Sequence, residues 1–304
     1  MERRTFIKTL AAGAAVAAAR GALGAPGAAL AQEAQYPDLV AVRGTGITAM
    51  FDRALEALGG LGRYVKSGQT IVVKPNMGWA VGPEAAANTS PELVAHIVKN
   101  ALNLGASKVI VFDNTCDNWA AAYRDSGLEA AAKGAGATVA PAHEAGYFQE
   151  VQLPGGQYLP STALHEAYLE ADAVINVPVL KHHGGARMTA AMKNLMGAIW
   201  ARGPLHRAGI DESLPDLLLY KKPVLNVVEA ARVMLSGGPR GRGDSRYLSG
   251  QLLVASEDAV AADSACAAVL ASAGLPVPTY MKLAEERGIG KADLSSLNIQ
   301  RLNA

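Results

Sequence analysis

The sequence predicts an α/β protein, a mainly parallel sheet covered by helices on both faces. Three observations predict it. Short β-branched apolar runs alternate with stretches of helical period along most of the chain, the pattern of strands buried on both faces. Half of the residues are apolar and 18% are charged, which is a globular composition rather than a disordered or collagen-like one. The 304 residues suffice for a sizeable core, in one large domain or in two lobes.

Residues 47–58 have helical spacing, and 69–73 form a short β-branched run ending at Lys74-Pro75-Asn76. Residues 91–104 read as a helix, with Ser90 as N-cap, Pro91 at the first helical position and Gly105 as its stop. A second strand over 108–112 ends at Asp113, a helix covers 119–133, and a third strand covers 138–140. The Gly/Pro-rich stretch 142–160 reads as a hairpin insertion. A helix over 164–170, a strand over 173–177 and a helix over 189–200 come next. Strands over 224–228 and 251–255 and a helix over 258–273 complete the pattern.

The chain opens Met-Glu-Arg3-Arg4-Thr5-Phe6-Ile7-Lys8 and continues as an Ala/Gly-rich run to Ala29-Leu30-Ala31. A basic start, a weakly apolar middle and small residues two apart form an export signal, and the arginine pair resembles the twin-arginine type. Residues 1–31 are therefore expected to be a signal, and 32–304 a single α/β domain in the periplasm or outside the cell. Losing Glu2, Arg3, Arg4, Lys8 and Arg20 takes the 28 basic and 27 acidic residues to 24 and 26. A net charge of −2 supplies no basic surface for nucleic acid. No later apolar run is long and charge-free enough for a membrane span. Cys116 and Cys266 are the only cysteines, too few for an iron–sulfur cluster or a structural zinc site. Each reads as a small buried hydrophobe, a disulfide between them being the alternative.

In parallel sheets, ligands bind beyond the carboxyl ends of the strands. That rule singles out Lys74-Pro75-Asn76, Asp113-Asn114-Thr115 and the segment after Val177. The last, residues 178–194, is the densest polar cluster, with Lys181, His182, His183, Arg187, Thr189, Lys193 and Asn194. Read as a loop entering a helix, it lets Thr189 cap a first turn whose free N–H groups face an anion. Lys193 lies four residues further on the same helix face. His206 follows in a Gly-Pro loop, so three of the six histidines fall within 25 residues. His96 and His143 read as surface residues. Residues 237–243 form a glycine-rich basic loop, either a surface loop or a binder of phosphate or carboxylate. Asp113, Asn114 and Asp117 match no defined metal loop and read as solvated strand-end residues.

Several of these segments resemble a known family. Lys74-Pro75-Asn76, Thr89-Ser90-Pro91-Glu92, Ile175-Asn176-Val177-Pro178, Leu180-Lys181-His182-His183 and Lys193-Asn194-Leu195-Met196-Gly197 look like the domain-of-unknown-function family numbered 362. The family's usual Lys-Thr-His has His182 in place of threonine here, so His183 is the matching histidine. Members often carry a ferredoxin-like iron–sulfur domain, which implies redox chemistry or an electron-transfer partner. This chain has no cysteines for a cluster of its own. A more distant resemblance is to the lactate racemase family, with a histidine, a lysine and a later histidine at similar spacing after a strand. It implies Lys193 as the attachment point of a covalently held nickel-pincer nucleotide, His206 as a metal ligand and His183 as the acid–base residue. Where the racemases have a second acid–base histidine, this chain has Asp113-Asn114-Thr115.

The expected function is an exported, cofactor- or metal-dependent enzyme, an oxidoreductase or isomerase acting on a small, hydroxy-acid-like carboxylate. His183, Lys193 and His206 are the expected catalytic residues, with His183 and His206 also available to a metal. Lys74, Asn76, Lys181, Arg187, Thr189 and Asn194 are expected to bind the substrate or a phosphate. The alternative is a noncatalytic periplasmic binding or maturation protein serving an iron–sulfur or other redox partner.

Overall fold

A computed structural model describes residues 36–304, of which Pro37–Ala304 pack as one compact unit. The expected signal at 1–31 lies outside the described residues. The chain runs β1 (Leu39–Arg43), α1 (Ile47–Ala57), β2 (Thr70–Pro75), α2 (Pro91–Asn103), β3 (Lys108–Val111), α3 (Trp119–Asp125), α4 (Leu128–Gly134) and β4 (Thr138–Val139). A side hairpin, β5 (Phe148–Gln152) with β6 (Ser161–His165), leads to α5 (Glu166–Glu170) and β7 (Ala173–Val177). Then come β8 (Val179–His183), β9 (Arg187–Thr189), α6 (Ala191–Asn194), α7 (Gly203–Ala208) and α8 (Ile210–Ser213). Two long strands, β10 (Leu225–Met234) and β11 (Tyr247–Ser256), precede α9 (Ala259–Ser272), α10 (Tyr280–Glu286) and β12 (Ile299–Asn303).

The main sheet is ordered β12-β1-β11-β10-β7-β2-β3-β4. Pairing is parallel from β10 through β4 and between β1 and β12, and antiparallel where β11 lies between β1 and β10. The sheet is mainly parallel with helices on both faces. Alternation along each strand divides its side chains between two cores. Ile71, Val73 and Ile175 pack with Phe51 of α1, Ile97 of α2 and Leu128 of α4. Val72 and Val174 pack on the other face with Tyr168, Met192, Leu195 and Leu270. Each such fully buried aliphatic side chain stabilises the fold by about 1.5–3 kcal/mol.

Four segments differ from their sequence reading. The helix expected over 119–133 breaks at Ser126-Gly127, where Gly127 takes φ 74°, a backbone suited to glycine. Residues 179–189, expected as a loop, form an antiparallel hairpin in which Lys181 pairs with Thr189 and His183 with Arg187. The helix expected over 189–200 is only the single turn of α6 plus a 3₁₀ turn, Leu195–Ala198. Residues 190–199 are buried all round except Lys193, so apolar period could not measure helix length there. Finally, β1, β12 and α10 carried no recognised signal, and β10 and β11 run well beyond their predicted cores.

Candidate functional site at the strand ends

The sheet order reverses beside β2. β3 and β4 lie on one side of it, and β7 and β10 on the other. Such switch points form crevices at the carboxyl ends of parallel strands. Here β2 delivers Lys74-Pro75-Asn76, β3 runs into Asp113-Asn114, and β7 ends at Asn176-Val177. The β8–β9 hairpin and the outer half of β10 rise above these ends, with Met234 paired to Lys181. Two-residue alternation along β8 sends Lys181 and His183 to one side. Both line a cleft of about 40 Å³ together with Asn76, Thr189, Lys193 and Arg202. His182, on the opposite side, accepts the Gly238 N–H at Nδ1 (3.2 Å).

Beneath the cleft, Lys74 and Asp113 form a buried ion pair, Nζ to Oδ1 at 2.8 Å. Asp113 Oδ2 accepts the Met77 N–H at 2.6 Å, and Lys74 also donates to Pro75 O at 2.7 Å. Burial lowers the Lys74 pKa, and the Asp113 charge opposes that shift. A Cβ at Gly197 would overlap Asp113 Oδ1 and approach Lys74 Nζ to 2.7 Å, so glycine lets the 3₁₀ turn close over the pair.

A chain of amides crosses the switch point in a single direction. Lys181 Nζ donates to Asn76 Oδ1 (3.2 Å), Asn76 Nδ2 to Asn194 Oδ1 (3.2 Å), Asn194 Nδ2 to Asn176 Oδ1 (2.9 Å), and Asn176 Nδ2 to Asn226 Oδ1 (2.9 Å). Asn226 Nδ2 ends the chain on Ser256 O and Glu257 O, both at 3.3 Å. Each buried amide is satisfied by its neighbours, so the network fixes how α6 docks against β2 and β7.

The cleft is cationic. Lys181 is wholly buried, donates also to Ala87 O, and is pushed down to about 7 by burial, with Lys193 adding to the effect. Lys193 is half-buried and its side chain makes no hydrogen bond or ion pair. Burial, then the Arg202 charge, lowers it to about 8. Arg202 is held by Met196 O at 3.2 Å, by Asn114 O, and by the thiol of Cys116, with Nη1 2.8 Å from Sγ. Thr189 Oγ1 is buried without a partner.

His183 has a fixed tautomer. Its Nδ1 accepts the N–H groups of Gly185 and Ala186, both at 3.0 Å. Burial, then Lys193 and Lys181, pushes its pKa down to about 3. A neutral ring that accepts at Nδ1 carries its proton on Nε2. His183 therefore presents a hydrogen-bond donor.

The family model described as "Domain of unknown function (DUF362)" matches residues 71–268, a span that contains every residue lining the cleft. The chain belongs to the DUF362 family. Among its relatives, the thylakoid-associated protein sll1697 of Synechocystis is 28% identical over 251 residues, covering 77% of this chain and 72% of that protein. Among solved structures, the lactate racemase apoprotein from Thermoanaerobacterium thermosaccharolyticum is similar with a TM-score of 0.41 and 14% identity over 64% of this chain. This chain spans half the length of that structure.

In this DUF362 protein, six of the expected site residues converge: Asn76, Lys181, His183, Thr189, Lys193 and Asn194 all line the cleft. Three do not. Arg187 points to Asp211, Nη1 to Oδ2 at 2.8 Å, and leaves the cleft because its backbone takes φ 61° at the hairpin end. Lys74 lies below the cleft and is neutralised by Asp113. His206 sits on α7 outside the lining, with its pKa lowered by burial and by the charges of Lys193 and Arg202. Thr189 is not a helix cap. The N–H groups opening α6, those of Ala191 and Met192, go to the Asp263 carboxylate, which stands where an outside anion was expected.

The expected cofactors do not fit these residues. A metal at His183 requires a ring-nitrogen lone pair, but Nδ1 already accepts two N–H groups and Nε2 carries the proton. Among the described residues, no group of three His, Cys, Asp or Glu side chains gathers to hold an ion. A nucleotide needs several times the available space, since cofactor sites run to about 300–1,000 Å³. Asp113 is buried and paired rather than solvated. Cys116 is exposed at the cleft, Cys266 is buried, and both are free thiols. Arg202 and Cys116 went unrecognised in the sequence. Asn176 did carry a signal, a lone amide inside an otherwise apolar strand.

Proposed function

We propose that the cleft binds a small carboxylate of the hydroxy-acid type and acts on it as an enzyme site. One observation carries this reading: Lys193 faces the cleft beside Lys181 and Arg202 without any counter-ion. A carboxylate would supply the missing negative charge, and charge-assisted hydrogen bonds are the strong ones. The ligand's second oxygen, hydroxyl or carbonyl, would accept from His183 Nε2–H, with Thr189 Oγ1 as a further partner. A neutral imidazole donor polarises such an oxygen without itself changing charge.

Glycolate titrated calorimetrically into the purified protein tests the proposal. Binding is expected to weaken at least about tenfold, or about 1.4 kcal/mol, in Lys193→Met, and to survive in Arg187→Gln, whose side chain faces away. Equal affinity in wild type and Lys193→Met overturns the reading. A noncatalytic binding role draws on one feature: with His183 fixed as a donor and Asp113 held by Lys74, the cleft offers no carboxylate or imidazole free to act as a base. Turnover of bound glycolate separates the two.

We further propose export through the twin-arginine route, on the strength of Arg3-Arg4-Thr5-Phe6-Ile7-Lys8. Replacing both arginines with lysine is expected to leave unprocessed precursor in the cytoplasm, detected by cell fractionation. Normal appearance of protein beginning near Gln32 refutes it. Among the described residues, no helix is long and apolar enough to cross a membrane.

A further inference from the structure

We propose that Lys193 forms a covalent iminium with a small 2-oxo carboxylate bound in the cleft. The inference rests on the carboxylate-binding reading above and names the substrate class more narrowly. It starts from a contrast between two lysines. Lys181 is wholly buried and committed to Asn76 Oδ1 and Ala87 O. The Lys193 side chain reaches the same cleft with no hydrogen bond or ion pair at all. An ammonium with no hydrogen-bond acceptor, set beside Arg202 and with the Asp113 carboxylate of the cleft already paired to Lys74, is poorly stabilised, and that setting turns a lysine into a nucleophilic amine. The lowered pKa of Lys193, from burial and Arg202, follows from the same placement.

The rest of the cleft suits a carbonyl compound. His183 Nε2–H is a donor that stays neutral, placed to hold a carbonyl oxygen as it gains negative charge. Arg202, which keeps its charge, supplies the positive partner for the carboxylate once Lys193 has given up its own. The small volume admits a two- or three-carbon acid in preference to anything larger. In the reaction, the Lys193 nitrogen adds to the carbonyl carbon and the carbon–oxygen double bond opens. The oxygen takes one proton from the amine nitrogen and one from solvent, then leaves as water. The iminium keeps one N–H, and no oxidant or reductant is consumed.

The test treats the purified full chain with glyoxylate and then sodium borohydride, followed by intact mass and peptide mapping. The expected product is one carboxymethyl group per chain, on Lys193, with labelling exceeding that of any other lysine by about tenfold or more. Excess glycolate should suppress it, and labelling should rise with pH through about 8, the Lys193 value. Lys193→Arg should lose the label, whereas Arg187→Gln, whose side chain faces away from the cleft, should keep both the label and glycolate binding. Glycolate binding without labelling of Lys193, or labelling spread evenly over surface lysines, overturns the iminium and leaves the carboxylate reading standing. Failure of both glycolate binding and Lys193 labelling overturns both.

Discussion

Asp263 shows how one residue can occupy a place that a ligand was expected to fill. Its carboxylate takes the two free N–H groups at the start of α6, and so positions the turn that carries Lys193 and Asn194. Burial pushes its pKa up to about 7, against the pull of those hydrogen bonds. A carboxyl whose pKa is raised by folding binds its proton more tightly in the folded state. Its contribution to stability is then fully present below the unfolded value near 4 and is lost as pH rises toward 7. Glu229, raised to about 7 by burial while accepting the Ser90 N–H at 2.7 Å, adds a slope of the same sign. Asp263→Asn removes one of the two titrations. Urea unfolding of wild type and variant from pH 4 to 8 should show their stability difference shifting in favour of the asparagine as pH rises. A difference that stays flat with pH would mean that Asp263 does not titrate in this range.

At the scale of elements, the site depends on how strand ends and short turns are tied together, and the one-way amide chain is the tie. Asn194 is its central link, donating through Nδ2 to Asn176 Oδ1 and Lys74 O and accepting from Asn76. Asn194→Ala strands two buried acceptors, Asn176 Oδ1 and Lys74 O, and the half-buried Asn76 amide, and the expected loss is about 3 kcal/mol of unfolding free energy. Asn194→Asp should be no better, because it puts an acceptor against two acceptors; a fully stable Asp variant would show that the chain's direction does not matter. These ties also explain which elements were legible in the sequence. Helices 47–57 and 91–103 were readable because one face is buried and the other wet, so apolar residues recur with the helical period. Strands 108–111 and 173–177 were readable because valine and isoleucine dominate them, with Asn176 the one polar interruption inside the second. The β8–β9 hairpin escaped because its Lys181, His182 and His183 are polar on both faces, and polar runs suggest loops. The segment 191–198 escaped because it is buried on every side. For the site, the strand-end rule located Asn76, Lys181, His183 and Lys193 from sequence alone. It could not say that Arg187 turns away or that Arg202 turns in, since those outcomes rest on one backbone angle and on a tertiary contact with Cys116.

Across the whole molecule, the parallel sheet supplies the floor of the cleft and the antiparallel arm of β10 and β11 supplies part of its cover. The glycine-rich loop at the arm's tip, residues 237–243, folds back so that Pro239 joins the lining. Gly238 is seated against the β8–β9 hairpin: its N–H meets His182 and its carbonyl accepts the Gly184 N–H at 3.3 Å. Beyond that seat, the loop is fastened to the opposite wall by Arg240, whose Nε lies 3.0 Å from Asp117 Oδ2, with half of the arginine side chain exposed. An ion pair so open to water contributes at most about 1 kcal/mol, and dissolved ions screen it further. The reach of small molecules into the cleft should therefore follow ionic strength. Alkylation of Cys116 by iodoacetamide reports on it as a rise above the rate the exposed thiol already has with the arm seated, since Cys266 is buried. The rate should rise by up to about fivefold in Arg240→Gln at low salt, and added salt should accelerate wild type while leaving the variant nearly unchanged. Salt-independent alkylation of wild type would show that the arm stays down without its charges. If salt does accelerate wild type, the mouth of the cleft would respond to the surrounding electrolyte through one arginine at the tip of a glycine-rich arm.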